Sequence, residues 1–278
     1  MTSFDATTGR IGALTVDRPL AEVGLGGVGG GVKFSPDGSK AFFVTARTTV
    51  VLRNTSDGSE RSIVPQMSRL RRLEWSSDSQ SLMASGLSVD KEGLHRIDLA
   101  TGAATLLFES GPVPMFAPSP DGRTVFYRTA QGPLVARDLT TGVERRLLGG
   151  EVGLSAVVPS RDGSKLALTT GSRLVIVDTR TGTSSVRWEA PGDTTDIVRG
   201  GAWSPNDQHF VTIAGVGSGE RRFELWTFNA ANGPPLRQPL PAQFRTASMS
   251  ADGRQLALVR WENLQQVWTL ENFLPPAK

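Results

Sequence analysis

Few side chains in this chain have the type and spacing for chemistry. Gly24, Gly26 and Gly29 fit G-x-G-x-x-G, a spacing that cradles a pyrophosphate when a strand precedes it and a helix follows. Here the chain runs on into VKFSPDG, which reads as strand and turn, and no GK(S/T) occurs. The stretch therefore reads as a flexible loop. His95 and His209 are the only histidines, too few for a multi-histidine metal site, and both read as ordinary surface or strand residues. A serine hydrolase needs a G-x-S-x-G elbow, and the nearest stretch, GVGSGE at 215–220, lacks that spacing. The absence of cysteine removes thiol nucleophiles, cysteine zinc sites, iron–sulfur clusters and disulfide scaffolds. Asp37, Asp78, Asp121, Asp162 and Asp252 recur one per repeat, whereas calcium needs six to eight oxygens converging on one point. They read as turn residues. No catalytic residue, metal or cofactor is expected.

What remains is arginine. Five residues ahead of a recurring serine (Ser35, Ser76, Ser119, Ser160, Ser204, Ser250) stand Gly30, Arg71, Pro114, Ser155, Arg199 and Arg245. Arg69 and Arg72 reinforce the second of these positions, while Glu74, Asp193 and Asp196 offset part of the charge. Guanidinium groups gathered at one opening attract an anionic group or an acidic protein surface, and they offer it bidentate geometry. The candidate binding residues are Arg71, Arg72, Arg199 and Arg245. The expected partner is a protein or a small anionic ligand.

The elements that must position these arginines follow from a repeat. The motif reads FSPDGSK at 34–40, WSSDSQS at 75–81, PSPDGRT at 118–124, PSRDGSK at 159–165, WSPNDQH at 203–209 and MSADGRQ at 249–255, spaced 41 to 46 residues apart. In Ser-Pro-Asp-Gly, proline presets φ, aspartate bonds its own backbone and glycine accepts positive φ. A short apolar run follows each turn, as in AFFVTA, VFYRTA and LALTTG. A second turn comes about twenty residues later: NTSDG, DLATG, DLTTG, DTRTG and NAANG. Strand-like runs flank it. Four strands per unit at this period is the signature of propeller blades.

The expected fold is an all-β, six-bladed β-propeller with four antiparallel strands per blade. The last repeat lacks a fourth strand, and RIGALTV at 10–16, after the turn DATTG, is expected to supply it and close the ring. Residues 1–272 form one domain on this reading, and 273–278 a tail. Trp75 and Trp203 should pack between blades, Trp226, Trp261 and Trp268 should lie on strands, and Trp188 should be exposed on an outermost strand.

Composition agrees with a globular chain: 278 residues, 38% hydrophobic and 21% charged. Thirty basic residues against 27 acidic ones leave a net charge of +3 without a basic block, so no nucleic acid is expected. No apolar run reaches the ~18 residues of a membrane span. MTSFDATTGR lacks the pattern of a signal peptide. The expectation is a cytoplasmic protein, or a periplasmic one if the chain is part of a longer exported protein.

Repeated (F/W)-S-P-D-G with a D-x-x-T-G turn in each unit resembles the TolB-type, WD40-like bacterial propellers over residues 5–272. The resemblance implies the fold. It leaves the function open, because the SPDG residues shape turns. The ending VWTLENFLP is similar to the C-termini of bacterial signalling proteins in which a propeller follows a kinase or winged-helix domain. Together these point to a non-enzymatic binding or sensing module. The alternative is a propeller hydrolase or lyase, or the accessory propeller of a peptidase.

Overall fold

The computed structural model describes residues 4–5, 10–11, 18–22, 32–45, 48–129, 132–149, 154–170, 172–189, 195–197, 200–217, 222–231, 233–240, 244–249, 256–260 and 266–270. Strands β1 (Phe4–Asp5) and β2 (Arg10–Ile11) pair as a short antiparallel ribbon, followed by β3 (Arg18–Glu22). The chain then divides into two compact units, residues 23–152 and residues 1–22 with 153–278.

The unit of residues 23–152 holds three four-stranded antiparallel sheets. The first contains β4 (Lys33–Phe34), β5 (Lys40–Thr45), β6 (Thr49–Asn54) and β7 (Glu60–Ile63). The second contains β8 (Arg69–Trp75), β9 (Ser81–Ser88), β10 (Lys91–Asp98) and β11 (Ala104–Glu109). The third contains β12 (Met115–Pro118), β13 (Thr124–Arg128), β14 (Leu134–Asp138) and β15 (Glu144–Leu148). In each, sequence neighbours pair, so every sheet is a meander.

The other unit holds the remaining repeats. The fourth sheet contains β16 (Leu154–Pro159), β17 (Lys165–Thr170), β18 (Arg173–Asp178) and β19 (Ser184–Glu189). In the fifth repeat, β20 (Thr195–Ile197) and β21 (Ala202–Trp203) both pair with β22 (His209–Val216), which continues to β23 (Arg222–Asn229) and β24 (Leu236–Pro239). The last sheet joins β25 (Phe244–Met249), β26 (Leu256–Arg260) and β27 (Gln266–Leu270) to β3.

Two expectations change here. The structure shows five blades of the four-stranded form rather than six, because the fifth repeat makes a five-stranded sheet. Its inner strand is split where Gly200 and Gly201 take φ of 102° and 155°. A Cβ on Gly201 would lie 2.4 Å from the Phe210 ring, so the backbone there passes too close for any side chain. The strand that completes the last sheet is β3, paired in register Gln266↔Glu22 and Thr269↔Arg18, and not residues 10–16. Pro19 lies on β3, which is an edge strand, the place in a sheet where proline is tolerated.

Middle strands bury both faces and read as continuous apolar runs, as in KAFFVT and RLVIVD. Outer strands alternate, as in ATLLFE. The apolar contact between the first and second sheets gathers Phe42, Leu52, Leu73, Trp75, Leu82 and Ile97. A second contact joins Met83 and Leu94 to Phe116, Val125 and Tyr127 of the third sheet. In the other unit, Trp203, Phe210, Trp226 and Phe228 pack with Leu174 and Ile176. Trp75 and Trp203 thus sit between sheets as expected. Trp188 is half-buried rather than exposed, edge-on to Trp226 at 4.9 Å. Trp261 lies outside the described residues.

The Ser-x-Asp turn organises the inner hairpins of the first, third and fourth sheets. Ser35 Oγ accepts the Lys40 amide at 2.9 Å and donates to Asp37 Oδ1 at 2.6 Å, and Asp37 also accepts the Ser39 amide at 2.9 Å. Ser160 and Asp162 repeat this arrangement with Lys165 and Ser164, and Ser119 and Asp121 with Thr124 and Arg123. Indole bonds just ahead of the turn tie the first sheet to the second and the fourth to the fifth. Trp75 Nε1 donates to the Lys33 carbonyl at 2.8 Å, and Trp203 Nε1 to the Val158 carbonyl at 2.9 Å. Where the motif glycine is replaced, at Ser79 and Asp207, the backbone keeps positive φ (55° and 54°) and the new side chain reaches back. Ser79 Oγ accepts the Asp37 amide at 3.1 Å. The Asp207 carboxylate accepts the Arg161 and Asp162 amides, each at 2.8 Å.

Asp207→Ala removes the acceptor of the Arg161 and Asp162 amides and is expected to cost about 1–2 kcal/mol, read as a lower urea midpoint. Asp207→Asn, which keeps one acceptor, should lose less. Partial burial would raise the Asp162 carboxyl. The hydrogen bonds from Ser160 and Ser164 and the Lys165 charge outweigh it and pull the pKa from 3.8 down to about 2. A folded pKa below the unfolded one stabilises the fold fully above pH ~4, and that contribution is lost as the pH falls through the folded value. The melting temperature of Asp162→Asn should therefore be lower at pH 7 and fall less than wild type between pH 5 and pH 2.

Candidate anion-binding site

β8 is the free edge strand of the second sheet and pairs only with β9. Its register is Arg69↔Leu87, Leu70↔Gly86, then Arg72↔Ser85, so Arg71 is an extra residue, a β-bulge. Bulges re-aim a side chain and end regular pairing. The same repeat position is irregular elsewhere: the register shifts between Leu154 and Ala156 in β16, around Ser155, and between Phe244 and Ala247 in β25, around Arg245. The position singled out by arginine in the sequence is thus a recurring backbone irregularity.

Register also assigns faces. Residues paired across strands share a face, and so do residues two apart. Arg69, Leu87 and Glu92 are one such row; Arg72, Ser85 and Leu94 are the next; Glu74 and Met83 the third. Met83 and Leu94 pack on the third sheet, so this face looks that way. Arg71 joins it through its Nε, 2.8 Å from Glu92 Oε1. Three arginines therefore fan over one face of one sheet.

The ion pairs within the fan use only part of each guanidinium. Arg72 Nε donates to Glu74 Oε1 at 2.9 Å. Glu74 also takes the ammonium of Lys33 from the first sheet, which donates further to the Leu73 carbonyl at 3.3 Å. Burial drives the Lys33 pKa down from 10.5 to about 8, with Arg72 adding to the fall and Glu74 opposing it. Arg69 is exposed and makes no ion pair with a described residue. Lys91 and Glu109 neutralise each other nearby at 2.7 Å. On the third sheet the corresponding approach residues are Val113, Pro114 and Met115, which bring no charge.

Of the residues named from sequence, Arg71 and Arg72 lie together here. Arg199 lies outside the described residues, and only the backbone of Arg245 is described, in β25. Gly24, Gly26 and Gly29 also lie outside them. Both histidines are strand residues, on β10 and β22, and both are buried. His95 shares its β10 face with Ile97, turned away from the arginines, and burial lowers its pKa below the ordinary histidine value. His209 is held in the fifth repeat's turn by its amide, 2.9 Å from Ser204 Oγ. Among the described residues no group of three or more histidine or acidic side chains could hold a metal ion. No helix of the described residues is long and apolar enough to cross a membrane. Sequence reading missed Glu92 and Lys33 as partners. Lys33 and Glu74 occupy the same repeat position in adjacent repeats, and opposite charges there were the available signal.

No protein-family profile and no curated protein matches the chain. Solved structures do. TolB from Acinetobacter baumannii superposes with a TM-score of 0.63 at 14% identity, covering 88% of this chain and 64% of that one. A structure designated TolB from Agrobacterium tumefaciens gives 0.63 at 15% identity, covering 88% and 90%. The β-propeller domain of Cps50 (Swd1) from Myceliophteria thermophila gives 0.59 at 14%, covering 86% and 82%. The fold is a TolB-like, WD40-like β-propeller. At these identities the likeness speaks for the propeller and its antiparallel blades. The arginine fan of the second blade is a feature of this chain's own residues.

Lys33→Met tests the electrostatics of the site. A lysine whose folded pKa is below its unfolded one makes the fold gain stability as the pH rises between the two values, here about 8 and 10.5. Wild type should gain stability over that window relative to Lys33→Met, measured as the difference in urea midpoints.

Proposed function

We propose that the protein is a non-enzymatic propeller that binds a protein or a small anionic ligand. The observation that carries this reading is the bulge at Arg71. It sets arginines on a rigid edge strand with Nε paired to carboxylate and the rest of the guanidinium unengaged by described residues. Binding energy is greatest where the receptor is already organised. On this reading the six repeats form one domain over residues 1–272, and Arg71, Arg72, Arg199 and Arg245, which stand at or beside one repeat position, are its candidate binding residues. The ending VWTLENFLP favours a regulatory module of a bacterial signalling protein.

The test has two arms. Purified protein should turn over nothing in a panel of esters, peptides and uronides; robust turnover would make it an enzyme and sink the reading. Replacing Arg71, Arg199 and Arg245 by alanine should cut capture of its partners by about tenfold with the melting temperature little changed, in keeping with ~1.4 kcal/mol or more of lost binding. Unchanged capture would remove the arginines from the interface.

A further inference from the structure

The second blade's fan carries more detail than a generally basic rim. Its cations are Lys33, Arg69, Arg71 and Arg72, and its carboxylates are Glu74 and Glu92. Both carboxylates already hold partners: Glu74 takes Lys33 and Arg72, and Glu92 takes Arg71. Two positive charges remain over. Asp90 sits past the last paired residues of the β9–β10 hairpin and forms no ion pair with them. One further polar group lies in the row of Arg72. Ser85 is fully buried, and its Oγ has no hydrogen-bond partner.

Anchoring through Nε has a geometric consequence. A guanidinium whose Nε is held by a carboxylate is fixed in orientation, and its terminal N–H groups point away as a pair. Arg71 and Arg72 are both held in this way, from Glu92 and Glu74 in turn. Arg69 stands one row along on the same face, free to close over a ligand. Planar forks standing in neighbouring rows of one face suit a tetrahedral oxyanion with several acceptor oxygens. The excess charge of two matches a phosphomonoester, which is largely dianionic at neutral pH.

We propose that Arg69, Arg71 and Arg72 on the third-blade-facing side of the second blade form a binding site for a phosphomonoester dianion. This rests on the binding-module reading and names the ligand chemistry of one part of it. Free inorganic phosphate and a phosphorylated side chain on a protein segment share that chemistry.

The experiment titrates the full chain at low salt with three probes: inorganic phosphate, a short phosphoserine peptide, and the same peptide with two glutamates in place of the phosphoserine. Phosphate should bind, and Arg69→Gln and Arg72→Gln should each weaken it at least tenfold. Arg180→Gln, on an exposed turn of the fourth sheet, should leave it within twofold. Wild type alone supplies a second readout, which holds even if a variant folds poorly. Affinity should fall about tenfold as the pH drops from 7.5 to 5, because the second phosphate ionisation lies near pH ~6. Tighter binding of the phosphopeptide than of free phosphate identifies a protein source, and equal binding a small-molecule one; both support the site. Phosphate binding that survives Arg69→Gln and Arg72→Gln overturns it. Binding of the glutamate peptide alone, lost in those variants, overturns the phosphate assignment and leaves the binding module standing. No binding of any probe overturns the site, while the binding-module reading stands or falls on the capture experiment above.

Discussion

A backbone amide buried where two sheets meet must find an acceptor, and in this protein that requirement falls on the turn between the inner strand and the next. The turn is too tight to pair with its own hairpin throughout. The serine hydroxyl supplies what is missing by accepting an amide from the following strand and donating to the aspartate two residues on. The same turn must also meet the neighbouring sheet. Between the first and second sheets, and between the fourth and fifth, it does so through a tryptophan indole and through a side chain standing where the motif glycine would be. These two pairs of sheets are held together by polar bonds at the turn and by apolar contact behind it. The apolar part supplies bulk stability at ~25 cal/mol per Å² buried, and the polar part fixes the angle at which the surfaces meet.

That division explains why the motif varies as it does. Gly122 keeps its glycine because a Cβ there would lie 2.3 Å from Ser77 Oγ of the preceding turn. Ser79 and Asp207 give up glycine and take a left-handed conformation that costs a non-glycine residue about 1 kcal/mol. Each regains it as hydrogen bonds to the turn before, Asp207 with two. Either solution closes the same gap. A position that looks degenerate in the sequence is thus a second way of meeting one constraint.

The repeat, its strands and its turn chemistry were legible because they are local. Serine, aspartate and glycine act within a few residues of where they stand, so spacing alone exposes them. The misreadings have non-local causes. β3 is a strand because β27 needs a partner, and RPLAE has no strand-like alternation of its own. The fifth repeat's inner strand splits at Gly200 and Gly201, and at Gly201 the Phe210 ring of the adjacent strand leaves no room for a Cβ. At the candidate site, the alignment found Arg71 and Arg72, but the bulge and the partner Glu92 depend on how three strands come into register. The burial of His95 and His209 is also tertiary. Two histidines among strand residues give no sign of which face they will occupy.

The arginines differ from the turn residues in a way that bears on function. The serines and aspartates of the first, third and fourth turns are satisfied by contacts inside the protein. Arg71 and Arg72 are only half discharged. Their carboxylate partners hold them in place without exhausting the guanidinium, and Arg69 has no partner among the described residues at all. Cations at an exposed rim, fully solvated, gain little from pairing. On the proposed reading, an oxyanion arriving at a half-buried edge beside Leu87 and Met83 would meet less water and lose less freedom than at an open rim, because two of the three guanidiniums are already held by carboxylates.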